Sequence, residues 1–196
     1  MRNERKEALL SLVEGAMMVA LATVLSLVKI IKLPWGGAVT LLSMLPLVLF
    51  SIRRGVIRGL GASFVYAVLQ LMLDIAEVAG WGLTPGALIG CLLLDYLAAF
   101  TVVGVAGCFR GRGTAGRVGG AALALGLRLL SHFFSGAFIF ASAGKVWNID
   151  ISNPYLYSLA YNAAYMLPEI AFTCIACFIL FKIPSTRRLL DGKTSS

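Results

Sequence analysis

The chain has 196 residues, of which 59% are hydrophobic and only 13% charged, and its formal net charge is +8. A soluble domain is near 45–50% apolar and about 25% charged, so this composition, with a mean hydropathy of +0.89, excludes an ordinary water-soluble globule. The basic excess does not make a nucleic-acid surface either, because Lys and Arg gather in short connections between apolar runs, as they do in the loops of membrane proteins.

In lipid a backbone must satisfy its own hydrogen bonds, by helices or by a closed barrel. Barrel strands alternate over about ten residues, whereas these runs are near-continuous over about twenty. The expectation is therefore an all-α membrane protein, a single integral membrane domain over residues 1–196 with six spans at about 8–31, 38–52, 56–77, 84–108, 117–142 and 155–182.

The first span is longer than the apolar core of a signal peptide and lacks a small-residue exit, so it reads as retained. Ala16 and Ala20 form a small-xxx-small patch on it, suited to close helix packing within the chain or to docking on another membrane protein. The connection PWGG then carries Trp35, whose indole suits either a membrane-interface anchor or a face for a cationic ligand. The second span is short, and Pro46 in SMLPLVLF is expected to kink it.

Asp95 and Tyr96 interrupt the fourth span in LLLDYLAAF. A carboxylate at that depth needs a cation, a donor or a proton. Two readings stand: a counter-charge and acceptor for a cationic or amine-bearing ligand, or an ion pair with Arg128. In the fifth span Arg128 and His132 lie one turn apart on a common face, followed by Ser135 and Gly136. His132 is the only histidine, and a pocket wall and a helix-packing hydrogen bond fit it equally. In the last span Tyr157, Tyr161, Tyr165 and Glu169 repeat at one-turn spacing, with Asn162 beside the stripe offering a donor and an acceptor. They line either a groove or, for the shallow ones, an interfacial aromatic belt. The spacing of Cys174 and Cys177 lacks the context of a redox or metal motif, and small apolar packing residues are expected there.

Arg2, Arg5, Lys6, Arg53, Arg54, Arg58, Arg110, Arg112, Arg117, Lys182, Arg187, Arg188 and Lys193 fall on one side; Lys29, Lys32 and Lys145 fall on the other. The positive-inside rule puts both termini in the cytoplasm of a cell membrane, and the polar groups converge on the outer half. No Walker A, HExxH or GxSxG sequence is present, so the chain has no visible means of using ATP and is not read as an enzyme.

PWGG, SMLPL, SIRRG, LQL, LLLDYLAAF, Gly104 and Gly107, HFFSGAFIF and YSLAYNAAYMLPE, in that order, resemble the thiamine-specific substrate-binding (S) components of energy-coupling factor (ECF) vitamin transporters, the ThiT group. The resemblance implies a six-helix fold that binds thiamine on its outer side. It also implies association with a transmembrane coupling subunit and two cytoplasmic ATPase subunits. It places ligand contacts at Asp95, His132, Gly136, Tyr157 and Asn162, with Tyr96 as a wall and Trp35 as the outer-loop aromatic. Ala16 and Ala20 match the patch that meets the coupling subunit. Phe140 stands where some relatives stack the ligand on Trp, and Trp81 is the aromatic nearest to a contact expected in the 80–90 segment. No cofactor and no metal are implied. The competing readings are an S component for another thiamine-related precursor or vitamin, an intramembrane enzyme using His132 with Glu169 or Asp95, and a structural subunit with its charges paired internally.

Overall fold

Long apolar runs have one stable form in lipid, and the structure, a computed structural model describing residues 2–140, 144–146 and 149–190, is accordingly built of helices. In chain order these are α1 (Arg2–Leu27), α2 (Leu45–Arg54), α3 (Val56–Ala79), α4 (Pro85–Phe109), α5 (Gly113–Phe140), α6 (Pro154–Lys182) and α7 (Pro184–Leu190). Among the described residues five of them, α1, α3, α4, α5 and α6, are long and apolar enough to cross a membrane. Two short antiparallel hairpins complete the order: β1 (Lys29–Lys32) with β2 (Ala38–Thr40), and β3 (Gly144–Val146) with β4 (Ile149–Ile151). Lys193, residues 141 and 142 at the end of the fifth expected span, and part of the 145–154 connection lie outside the described residues.

Local chemistry sets the helix starts. Thr84 caps α4, its hydroxyl accepting from the Ala87 N–H, and Pro85 occupies the first turn, where no N–H is needed. Asn153 caps α6 in the same way, accepting from the N–H groups of Tyr155 and Leu156 at 2.9 and 3.1 Å, with Pro154 next to it.

The first two expected spans differ from the structure in one connected way. Helix α1 stops at Leu27, and Lys29–Lys32 pairs with Ala38–Thr40 instead of prolonging it. The second run is thus divided between a strand and a ten-residue helix, α2. At 1.5 Å per residue α2 reaches about 15 Å, roughly half the hydrocarbon thickness. The reversal is made at Trp35 (φ 62°) and Gly36 (φ 85°), and Leu42 (φ 57°) turns the chain again before α2. Pro46 is no kink: it sits in the first turn of α2.

Helix α5 packs between α4 and α6, while α1 lies against α2 and α3. Tyr66, Leu47, Val103, Leu125 and Met166 are fully buried where these layers meet. Gly104 lets α4 touch the backbone of Gly59 and Leu60 on α3, an approach a methyl group would prevent. At the arginine-rich end Glu14 of α1 holds Arg53 at 2.9 Å and Arg54 at 2.5 Å. Many apolar side chains of α1, α3 and α6 face outward, among them Leu12, Met17, Phe64, Met72 and Ile175, as a lipid-facing surface requires.

Two helices depart from α geometry at positions that matter below. Leu92–Ala98 of α4 and Gly136–Phe140 of α5 are π-helical. Such segments are rare and recur at functional sites, because the wider turn re-aims the side chains it carries.

Candidate ligand-binding site

The first hairpin, both π-helical segments and the start of α6 enclose a cavity of about 140 Å³. Its walls include Trp35, Asp95, Tyr96 and His132, and also Gly136, Phe140, Tyr157 and Asn162, so the residues singled out from the sequence share one chamber.

Asp95 is held by α5. His132 Nδ1 lies 2.8 Å from Asp95 Oδ1, and the Ser135 hydroxyl donates to Oδ2. A carboxylate can only accept, so Nδ1 carries the proton. His132 Nε2 is buried and has no hydrogen-bond partner among the described residues. The Asp95–Arg128 ion pair weighed from the sequence is not formed among the described residues. Arg128 instead stacks its guanidinium on the Phe100 ring, 4.5 Å from the centroid, and its Nε and Nη1 have no hydrogen-bond partner among the described residues. Arg128 is 8% exposed and lines the chamber.

Asn162 is committed to the protein. Its amide N–H groups donate to the carbonyl of His132 at 3.2 Å and that of Ser158 at 2.9 Å, and its carbonyl accepts from Tyr165 at 2.8 Å. It therefore binds α6 to α5 as well as lining the chamber. Gly136 makes that junction possible, since a Cβ there would run into Ser158.

The aromatic walls form two series. Tyr157 and Tyr161 stack at 6.1 Å with an 18° interplanar angle, and Tyr161 meets Tyr165 edge-on at 5.9 Å. On the other side Trp35, Trp81 and Phe140 follow one another edge-to-face, with centroids 6.3 and 6.0 Å apart. Phe140 and Trp35 are thus bridged by Trp81.

The roof is fastened by α6. Tyr161 donates its hydroxyl proton to the Pro34 carbonyl and accepts from the Gly37 N–H at 3.2 Å. Further along α6, Glu169 Oε1 accepts from the N–H and the hydroxyl of Thr40, the latter at 2.6 Å.

Sequence reasoning missed Ser26, Thr40, Ser43, Gln70 and Asp74, which also line the chamber. Tyr66, Gln70 and Asp74 repeat at one-turn spacing on α3, a signal present in the sequence but hidden by its position at the end of an apolar run. Ala16 and Ala20 lie away from the chamber, exposed on α1 along a shallow apolar groove shared with α3. Cys174 and Cys177 are free thiols in α6.

Comparison with known proteins gives one direction throughout. The family model described as "Thiamine transporter protein (Thia_YuaJ)" matches residues 12–188. Thiamine transporter ThiT of Bacillus subtilis (strain 168) is 31% identical over 197 residues, covering 91% of this chain and 93% of the relative. Among solved structures, ThiT from Listeria monocytogenes superposes with a TM-score of 0.69 at 22% identity, covering 94% of this chain and 98% of that one. At that identity the likeness shows a shared fold.

Proposed function

The chain belongs to the thiamine transporter protein family, and from that premise we propose that the chamber under the first hairpin is where it captures its vitamin. The protein is a multi-pass protein of the bacterial cell membrane that takes up thiamine as an S component. The relatives it matches are named as transporters, not as enzymes.

The observation that carries the site is the convergence of Asp95, Tyr96, His132, Gly136, Tyr157 and Asn162, with Trp35 and Phe140, on one chamber. Thiamine has a flat aminopyrimidine, a permanently charged thiazolium ring and a hydroxyl. The aminopyrimidine suits the Asp95–His132 side: the carboxylate accepts from its amine, and the bare Nε2 of His132 is a second acceptor. Tyr96 and Tyr157 bound the ligand, Asn162 keeps α5 and α6 at the right separation for it, and the Trp35, Trp81 and Phe140 rings offer faces to the cation.

The charge distribution supports both termini in the cytoplasm, with α2 as a sixth, shortened membrane helix and the hairpin facing outward. Ala16 and Ala20, exposed on α1, are a low surface on which an ECF coupling subunit with its two ATPases would dock.

Titration of purified protein with thiamine, followed by quenching of Trp35 and Trp81, tests the site. Wild type is expected to saturate and Asp95→Ala to bind at least tenfold more weakly. Equal affinity in the two removes Asp95 from the site, and a competition panel of thiamine precursors separates thiamine from its analogues.

A further inference from the structure

Two carboxylates face the chamber, Asp95 and Asp74, and the protein treats them differently. Both oxygens of Asp95 are engaged by α5, one by His132 and the other by Ser135. Asp74, on α3, is held among the described residues by one long hydrogen bond, from the Tyr96 hydroxyl at 3.4 Å. The charges nearest it are Lys29, Lys32 and Glu77. Lys32 and Glu77 pair with each other at 3.4 Å on the exposed rim, which leaves Lys29, itself at the chamber wall, as the neighbouring cation, with no ion pair to Asp74 among the described residues.

Resting on the thiamine reading above, we infer that Asp74 is the counter-ion for the ligand's permanent thiazolium charge, while the braced Asp95 serves the hydrogen-bonding ring. A quaternary ring nitrogen has no proton to give, so the hydrogen-bonding geometry in which Asp95 is fixed is of no use to it. It asks for nearby negative charge in a site of low dielectric constant. Asp74 supplies that charge on the same face of the chain that leads to the aromatic wall. Trp81 follows just beyond the end of α3, its backbone N–H donating to the carbonyl of Val78 at 3.2 Å in a closing turn. Trp81 then touches both Trp35 and Phe140. Phe140 presents a smaller π-face than an indole would, so the rings alone hold a cation less well and the carboxylate carries more of the selectivity.

The test compares two ligands that differ in charge alone: thiamine, and a neutral isostere in which the thiazolium nitrogen is replaced by carbon. Affinities for both are measured by calorimetry on wild type, Asp74→Asn, Asp74→Glu and Asp95→Asn. The expected result is that Asp74→Asn weakens thiamine at least tenfold and leaves the isostere within twofold, while Asp74→Glu keeps the preference for the charged ligand. Asp95→Asn weakens both ligands, because it alters a hydrogen-bonding partner of the ring they share. Loss of both ligands in Asp74→Asn, or of neither, overturns the assignment. Retained binding of the isostere certifies that the variant is folded. Wild-type protein that binds neither compound refutes the thiamine reading itself, and the role of Asp74 with it.

Discussion

Glu169 and Thr40 are joined twice: the Thr40 N–H and its hydroxyl both donate to the same oxygen of the Glu169 carboxylate, the hydroxyl at 2.6 Å. Glu169 is 3% exposed and its other oxygen has no hydrogen-bond partner among the described residues. Thr40 ends β2, so this contact fixes the foot of the hairpin that roofs the chamber. Removing the carboxylate leaves the half-buried Thr40 N–H without its acceptor, at about 1–3 kcal/mol, while the hydroxyl keeps Ser43 at 2.6 Å. Glu169→Ala is expected to lower the thermal midpoint of the ligand-free protein. It is also expected to speed amide exchange over residues 29–40 relative to the rest of the chain, as mass spectrometry would record. Uniform exchange across the chain would deny the hairpin a separate fastening.

Tyr161 fixes the other end of the same hairpin, through Pro34 and Gly37. Tyr161→Phe keeps the ring stacked on Tyr157 and deletes only those two bonds. Each is worth about 0.5–1.5 kcal/mol net, so together they correspond to a roughly five- to hundredfold faster release of bound vitamin. Stopped-flow displacement followed by tryptophan fluorescence gives that rate. An unchanged rate would mean that Tyr161 does not restrain the roof.

Gly136→Ala asks whether the close approach of α5 and α6 is required. The added methyl meets Ser158 and, at 3.4 Å, Asn162. Forcing the helices apart costs about 1–3 kcal/mol and breaks the bonds that cross between them, from Asn162 to the His132 carbonyl and from the Ser158 hydroxyl to the Phe133 carbonyl. Both thermal stability and thiamine affinity are expected to fall, the second at least tenfold. A variant that loses neither would show that α6 can shift without cost.

Phe140→Trp enlarges the π-face beside Trp81. A better cation–π contact is worth about 0.5–1 kcal/mol, so thiamine should bind roughly two- to fivefold more tightly in a calorimetric titration. A weaker complex would indicate that the chamber has no room on that side.

Much of this was legible in the chain because ionisable and polar groups inside apolar helices are conspicuous: Asp95, Arg128 and His132 each break a run of Leu, Ala and Phe. Helices α3, α4 and α6 follow apolar runs whose ends are marked by Gly, Pro and capping residues. What lay hidden depends on tertiary contact. Four residues of β1 and three of β2 are too few to show alternation, and their pairing is what ended α1 early and shortened α2. The π-helical turns at 92–98 and 136–140 leave no signature in residue type, yet they aim Tyr96 and Phe140 inward. Asp74 lies near the outer end of the expected span 56–77, where a carboxylate is unremarkable, so the sequence does not single it out. The choice between Arg128 and His132 as the partner of Asp95 turns on side-chain direction, which spacing alone does not give.

Helix α6 is at once a side of the chamber and the element to which the roof is tied. Tilting it draws Pro34, Gly37 and Thr40 along while moving Tyr157 and Tyr165 away from whatever they enclose. On the reading proposed above, gate and grip therefore travel as one piece, and a vitamin is not let go by loosening the walls while the door stays shut.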